Sequence, residues 1–264
     1  MKKIILTILF SFFFIPVFTF ASTTVQFTST GTWTAPAGVT SVSAQLWADG
    51  GGGYGSDGSL NRSGSGGGGG AFVSSSSVTV IPGNVYTVVV GQGGIGGLNS
   101  VGVGKSGQGT MFISSSTLFA DPGKAAINQA VIGFAGSTTL SIGSTKFSGG
   151  NGAIRFSTSI GGGGGGGAGT SNSGSNGSGQ TGGSGGATGG GSGGNAVAVS
   201  NGGPGSILGA GGAGASGISG NGGQGARGEV DLTFTPVLIP VFNVFSLYFG
   251  NFFEVSQGSI FQLY

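Results

Sequence analysis

The sequence predicts an all-β protein whose strands are joined by glycine-dominated chain instead of helices. Three observations lead there. Apolar residues alternate with polar ones in short runs, the period-two pattern of half-buried strands. No 3.6-residue apolar stripe with capping residues can be traced after residue 21. Glycine supplies 66 of 264 residues while only 5% are charged, which excludes an ordinary compact core under a charged shell, where about 25% of residues carry charge.

The chain opens Met1-Lys2-Lys3, continues apolar from Ile4 to Phe18 and closes this section with Thr19-Phe20-Ala21. A basic start, an apolar stretch and a small residue at the end make residues 1–21 a secretory signal peptide, cut after Ala21. An uncleaved N-terminal anchor is the alternative, against which Pro16 would break a spanning helix. Either way the body of the protein is expected to be secreted or on the cell surface. Loss of Lys2 and Lys3 reduces the 8 basic residues to 6, equal to the 6 acidic ones. A near-neutral chain is not expected to bind nucleic acid through its phosphates.

Strands follow in order. Val25 and Phe27 alternate with polar neighbours, as do Val42, Ala44 and Leu46. Val78 and Val80 lead into Ile81-Pro82-Gly83-Asn84, after which Val85 to Val90 resumes. Proline presets φ at the second turn position and glycine accepts positive φ at the third, so this stretch reads as a hairpin. Met111 to Ile113, Val131 to Phe134, Thr139 to Ile142 and Thr145 to Phe147 are candidate short strands. In the last strand Val230, Leu232 and Phe234 alternate with Glu229, Asp231 and Thr233, and its apolar face must find a partner far back in the chain.

Residues 161–228 are about half glycine, too many for helix or conventional sheet. Glycine loses the most backbone entropy on folding, so the tract is either a flexible linker or a structure whose contacts only glycine permits. The ordered alternative is a bundle of extended threefold polyglycine II helices, relatives of polyproline II, whose bare backbones approach closely enough to hydrogen bond. A long excursion between strands that must pair makes a poor tether between domains.

From Trp33-Thr34-Ala35-Pro36-Ala37-Gly38-Val39, through the strand ending at Leu46-Trp47 and the run Gly50 to Gly53, the chain resembles the glycine-rich domain of phage tail proteins and exported bacterial proteins. The likeness continues through Gly66 to Phe72, Pro82-Gly83, Tyr86 to Val90 and Gly91 to Gly94, and closes with Gly222 to Thr235. The same order of elements is similar to the glycine-rich ligand-binding region of anaplastic lymphoma kinase-type receptors. The tract is similar to the polyglycine II tips of T-even-like phage tail-fibre adhesins. The resemblance implies a small jelly-roll-like (tumour-necrosis-factor-like) β-sandwich, from which polyglycine II helices protrude as a bundle. It implies no catalytic residues.

Cysteine and histidine are both absent, which removes disulfides, the commonest metal ligands and the commonest general base. No cofactor is expected, and an enzyme is the class least supported. Gly91 to Gly96 fits a dinucleotide-binding pattern by chance, since no helix follows to hold a pyrophosphate. Gly104-Lys105-Ser106 resembles the end of a phosphate loop whose leading glycine is replaced by Asn99. Ser184 and Ser192 sit in nucleophile-elbow spacing without a base. Gly52 to Asp57 begins like a calcium-binding repeat, but no second copy follows. Asn61-Arg62-Ser63 and Asn176-Gly177-Ser178 satisfy the glycosylation rule and read as plain loop.

Tyr54, Leu60 and Arg62 lie between glycine runs as candidate ligand contacts, or else they cap the sandwich. Residues 236–264 form a hydrophobic tail with Phe242, Phe245, Tyr248, Phe249, Phe252 and Phe253. It suits a homo-oligomer contact or a membrane association, with an outer-membrane strand ending at Tyr264 as a third reading. Three functions remain open at this point: an adhesin binding a cell-surface glycan or protein, a structural surface or matrix component, and an ice-binding face. The last requires regular Gly-x-x periodicity, which the tract lacks.

Overall fold

In the computed structural model of the chain, residues 21–56, 58 and 62–236 are described. Residues 1–20 of the expected signal peptide, Leu60 and the aromatic tail from residue 237 lie outside the described residues. Nine strands are present among the described residues: β1 (Thr23–Phe27), β2 (Gly31–Thr34), β3 (Ser41–Trp47), β4 (Phe72–Thr79), β5 (Val85–Val89), β6 (Thr110–Phe112), β7 (Leu118–Ala120), β8 (Thr145–Phe147) and β9 (Glu229–Phe234). They form two antiparallel sheets, ordered β1-β9-β3-β4-β8 and β2-β5-β6-β7, packed as a β-sandwich. The closing strand β9 inserts between β1 and β3, setting Ala44 opposite Leu232 and Leu46 opposite Val230. Those four side chains are fully buried, which is what the period-two pattern demands.

Between the sheets Trp33 of β2 anchors the core. Its ring lies 5.6 Å from Phe234 of β9 and 6.0 Å, edge-on, from Phe112 of β6. The turn at residues 81–84 has the expected chemistry, with Gly83 at φ 81° and the Asn84 N–H donating to the Ile81 carbonyl at 3.1 Å. It does not make a hairpin. β4 pairs with β3 and β8, whereas β5 pairs with β2 and β6, so the chain crosses between sheets here. Turn chemistry fixes a reversal, but partners elsewhere decide the pairing. Val131 to Phe134 and Thr139 to Ile142 are likewise not strands; Ile142 makes a single bridge to Phe119.

The glycine-rich chain is ordered and follows a period of three. Along residues 49–56 successive N–H groups turn to different neighbours. Gly50, Gly53 and Ser56 donate to Ala226, Gly223 and Gly220; Gly51 and Tyr54 to Gly68 and Ser65; Gly52 and Gly55 to Lys105 and Gly102. Carbonyls of the same segment accept, again every third residue, from Gly94 and Gly97, from Gly123 and Ala126, and from Gly212 and Ala215. This is a threefold extended helix hydrogen bonded on six sides, the packing expected of polyglycine II.

Segments 64–70, 162–168 and 209–215 are central in the same way, and the remaining segments form a rim around these four. The bundle is therefore not confined to residues 161–228, because 49–56, 63–71, 93–107, 121–136 and 149–155 belong to it as well. A Cβ on Gly53 would lie 2.0 Å from the Ala213 carbonyl oxygen, and one on Gly69 equally close to that of Gly166. No side chain fits there. Trp47, Phe72, Ala168 and Leu208 form a second apolar cluster that joins bundle to sandwich.

Candidate functional site

Each bundle segment runs outward from the sandwich or back towards it, so its turns collect at two ends. At the far end the Ser100 N–H donates to the Ser56 carbonyl, Gly217 to Ser159 and Ser216 to Ser200. The Ser63 hydroxyl donates to the Thr158 carbonyl at 3.0 Å. These bonds gather the turns near residues 62, 98–101, 127–131, 156–160, 197–200 and 217–220 into one distal face. Leu98, Val101, Ile127, Phe156, Val197, Val199 and Ile218 project from it, between 50% and 79% exposed. Val199, the most exposed, also holds φ at 53°, a left-handed conformation that disfavours β-branched residues. At the opposite pole Thr23 pairs with Phe234, so the chain leaves β9 at Thr235 and Pro236 pointing away from the distal turns.

Of the three contact residues expected from the sequence, Arg62 is an exposed residue of this face. Tyr54 is buried, which corrects the expectation that it reaches solvent. It belongs to a central segment, and its ring fills the space over Gly102, where a Cβ would lie 2.2 Å from the hydroxyl oxygen.

The rim was not legible in the sequence. Rim segments present a side chain at every third residue: Gln92, Ile95 and Leu98; Ser148, Asn151 and Ile154; Asn201, Pro204 and Ile207; Ile218, Asn221, Gln224 and Arg227. Gly-Gly-x periodicity is thus present within segments, contrary to the expectation that the tract lacks it, because each turn resets the phase. Asparagines on the rim replace a missing outer neighbour. Oδ1 of Asn221 accepts from the Asn99 N–H, Asn201 from Asn221, Asn151 from Ala135, and Asn176 from Asn151, at 2.7 to 2.8 Å.

Two shallow grooves run along the flanks. One, of about 650 Å³, is lined by Ile132, Asn151, Ile154, Arg155, Phe156 and Asn176. The other, of about 380 Å³, is lined by Ile95, Leu98, Asn201, Pro204, Asn221 and Gln224.

Charge is segregated. The described acids all lie in or beside the sandwich. Buried Asp49 accepts the N–H groups of Gly93, Gln108 and Gly109 at 2.9 to 3.0 Å, pinning a pair of bundle segments to the end of β3. Asp121 pairs with Lys124 at 2.9 Å, and Glu229 with Arg227 at 3.0 Å. Burial, and then the neighbouring Glu229 charge, push the Asp231 carboxyl above its ordinary range, while Gln26 pulls the other way. Among the described residues no group of three acidic side chains could hold a metal. Gly91 to Gly96 and Lys105 lie in bundle segments, Ser184 and Ser192 lie on the rim, and Gly52 to Ser56 are inside a central helix.

Residues 23–235 match the family described as glycine-rich domain, and the chain belongs to that family. Comparison with curated proteins gives no match.

Proposed function

We propose that this member of the glycine-rich domain family is an exported surface recognition module of adhesin type, in which a stiff bundle holds its distal turns out towards a glycan or protein of another cell. The observation that carries this reading is Val199, a β-branched residue 79% exposed at φ 53°. An exposed apolar side chain held in a costly conformation serves contact better than stability. The clustering of six more apolar residues on the same face supports it, since scattered exposure is ordinary but a gathered patch is not. Polarity supports it too: the chain enters its aromatic tail from the opposite pole, and Phe242, Phe245, Tyr248, Phe249, Phe252 and Phe253 would anchor the module to a membrane or to further copies. Export by a signal peptide at residues 1–21 would bring it to the cell surface. The resemblance to phage tail and adhesin sequences agrees with a non-catalytic role that takes no cofactor and no nucleic acid.

The test is to bind purified residues 22–264 to host cells and to a glycan array. Saturable binding that falls in a Val199→Asn variant supports recognition, and silence on both surfaces contradicts it.

A second reading, a structural surface or matrix protein without a specific ligand, is favoured by the apolar residues Ile95, Val103 and Ile154 exposed along the bundle flanks. It predicts abundant, self-associated protein in cell fractions that becomes monomeric when residues 237–264 are deleted.

A further inference from the structure

We infer that the groove along residues 151–156, flanked by Ile132 and Asn176, binds an acidic oligosaccharide, with a sugar ring on Phe156 and its carboxylate on Arg155. The inference rests on the recognition reading above and gives it a ligand class.

Three features of the groove converge on this ligand. Phe156 is 61% exposed, yet one side of its ring is backed by Gly179, where a Cβ would lie 3.0 Å from Cδ2. An exposed aromatic ring resting against neighbouring backbone offers a flat apolar platform. Asn151 and Asn176 each commit Oδ1 to a backbone N–H at 2.8 Å. That fixes each carboxamide and leaves its Nδ2 hydrogens as oriented donors. Arg155 lines the groove, and the ion pairs among the described residues, Lys124 with Asp121 and Arg227 with Glu229, do not include it. Its planar guanidinium matches a carboxylate with two parallel hydrogen bonds.

The lining therefore offers side-chain donors, a cation and an apolar platform, and no carboxylate. Its complement is a thin ligand with an apolar C–H face, acceptor oxygens and a negative charge. An acidic pyranose carries all three. The described acids lie in or beside the sandwich, so no described carboxylate competes for Arg155. The groove on the other flank has neither an aromatic nor a charged side chain and provides an internal control.

The experiment titrates residues 22–264 with 3′-sialyllactose, tri-galacturonic acid and neutral lactose, and measures host-cell binding in parallel. At least one acidic sugar should bind, with lactose weaker by about tenfold or more. Arg155→Gln and Phe156→Ala should each weaken acidic-sugar binding about tenfold, Phe156→Tyr should restore it, and Gln224→Ala in the other groove should leave it unchanged. Failure of both acidic sugars to bind, equal binding of lactose, or indifference to Arg155→Gln and Phe156→Ala overturns the assignment. Host-cell binding that survives the groove variants sinks this site and spares the recognition reading, whereas absence of any cell binding sinks the recognition reading itself.

Discussion

The backbone N–H of Gly212 donates to the carbonyl of Gly51 at 3.0 Å, and three residues later Ala215 repeats the bond to Tyr54 at 2.9 Å. Neither bond belongs to a strand. Segments remote in sequence lie side by side in threefold register, and the interior they form consists of peptide groups. Each bond contributes only about 1 kcal/mol net, so the bundle depends on their number and on the absence of side chains between them.

Gly53→Ala should destabilise the protein by about 3 kcal/mol, because its methyl group would sit 2.0 Å from the Ala213 carbonyl oxygen and the neighbouring backbone cannot yield. Gly83→Ala should cost only about 1 kcal/mol, since φ is 81° there but nothing lies within 4 Å. Urea unfolding midpoints of the two variants make the comparison.

Asp49→Ala removes a buried carboxylate that holds three backbone N–H groups. A loss of about 3 kcal/mol is expected from the orphaned donors. It should appear in urea melts as a lower midpoint, with faster amide exchange at Gly93 and Gly109.

Strand positions were legible because burial on one face writes itself as alternation, as at Val42, Ala44 and Leu46 or Val230, Leu232 and Phe234. The sheet crossing at Pro82-Gly83 was not, since alternation names a face and not a partner. β2 and β7 passed unseen because Gly31-Thr32-Trp33-Thr34 carries a single apolar side chain and Leu118-Phe119-Ala120 follows a serine-rich turn that reads as loop. The bundle outside residues 161–228 was hidden because Lys105, Lys124 and Phe134 interrupt its glycines, although all three lie on rim segments where side chains are free to project. Rim asparagines carried a signal that only segment-by-segment phasing reveals. Tyr54 was misplaced because neighbouring glycines read as loop.

Asp231 supplies a pH test. Burial raises its folded-state pKa above the unfolded value, so its contribution to stability is fully present below the unfolded pKa and is lost as pH rises through the folded one. Asp231→Asn should therefore match wild type near pH 3 and exceed it at about pH 7. Urea midpoints at the two pH values check the sign; equal midpoints at neutral pH would contradict it.

Val199→Asn exchanges a β-branched residue at φ 53° for one that tolerates the left-handed region. Stability should rise by about 1 kcal/mol while host-cell binding falls. Thermal melts and cell-binding titrations on the same preparation separate the two effects.

The sharpest test of a packed-backbone interior is amide exchange across residues 161–228, resolved residue by residue. Gly164, Gly165 and Gly166, which donate to Gly194, Gly67 and Ser175, should exchange as slowly as the strand amides of Leu46 and Leu232. Outward amides of the rim that no asparagine side chain accepts should exchange quickly. Uniformly fast exchange through the tract, with the strands still protected, would refute that interior.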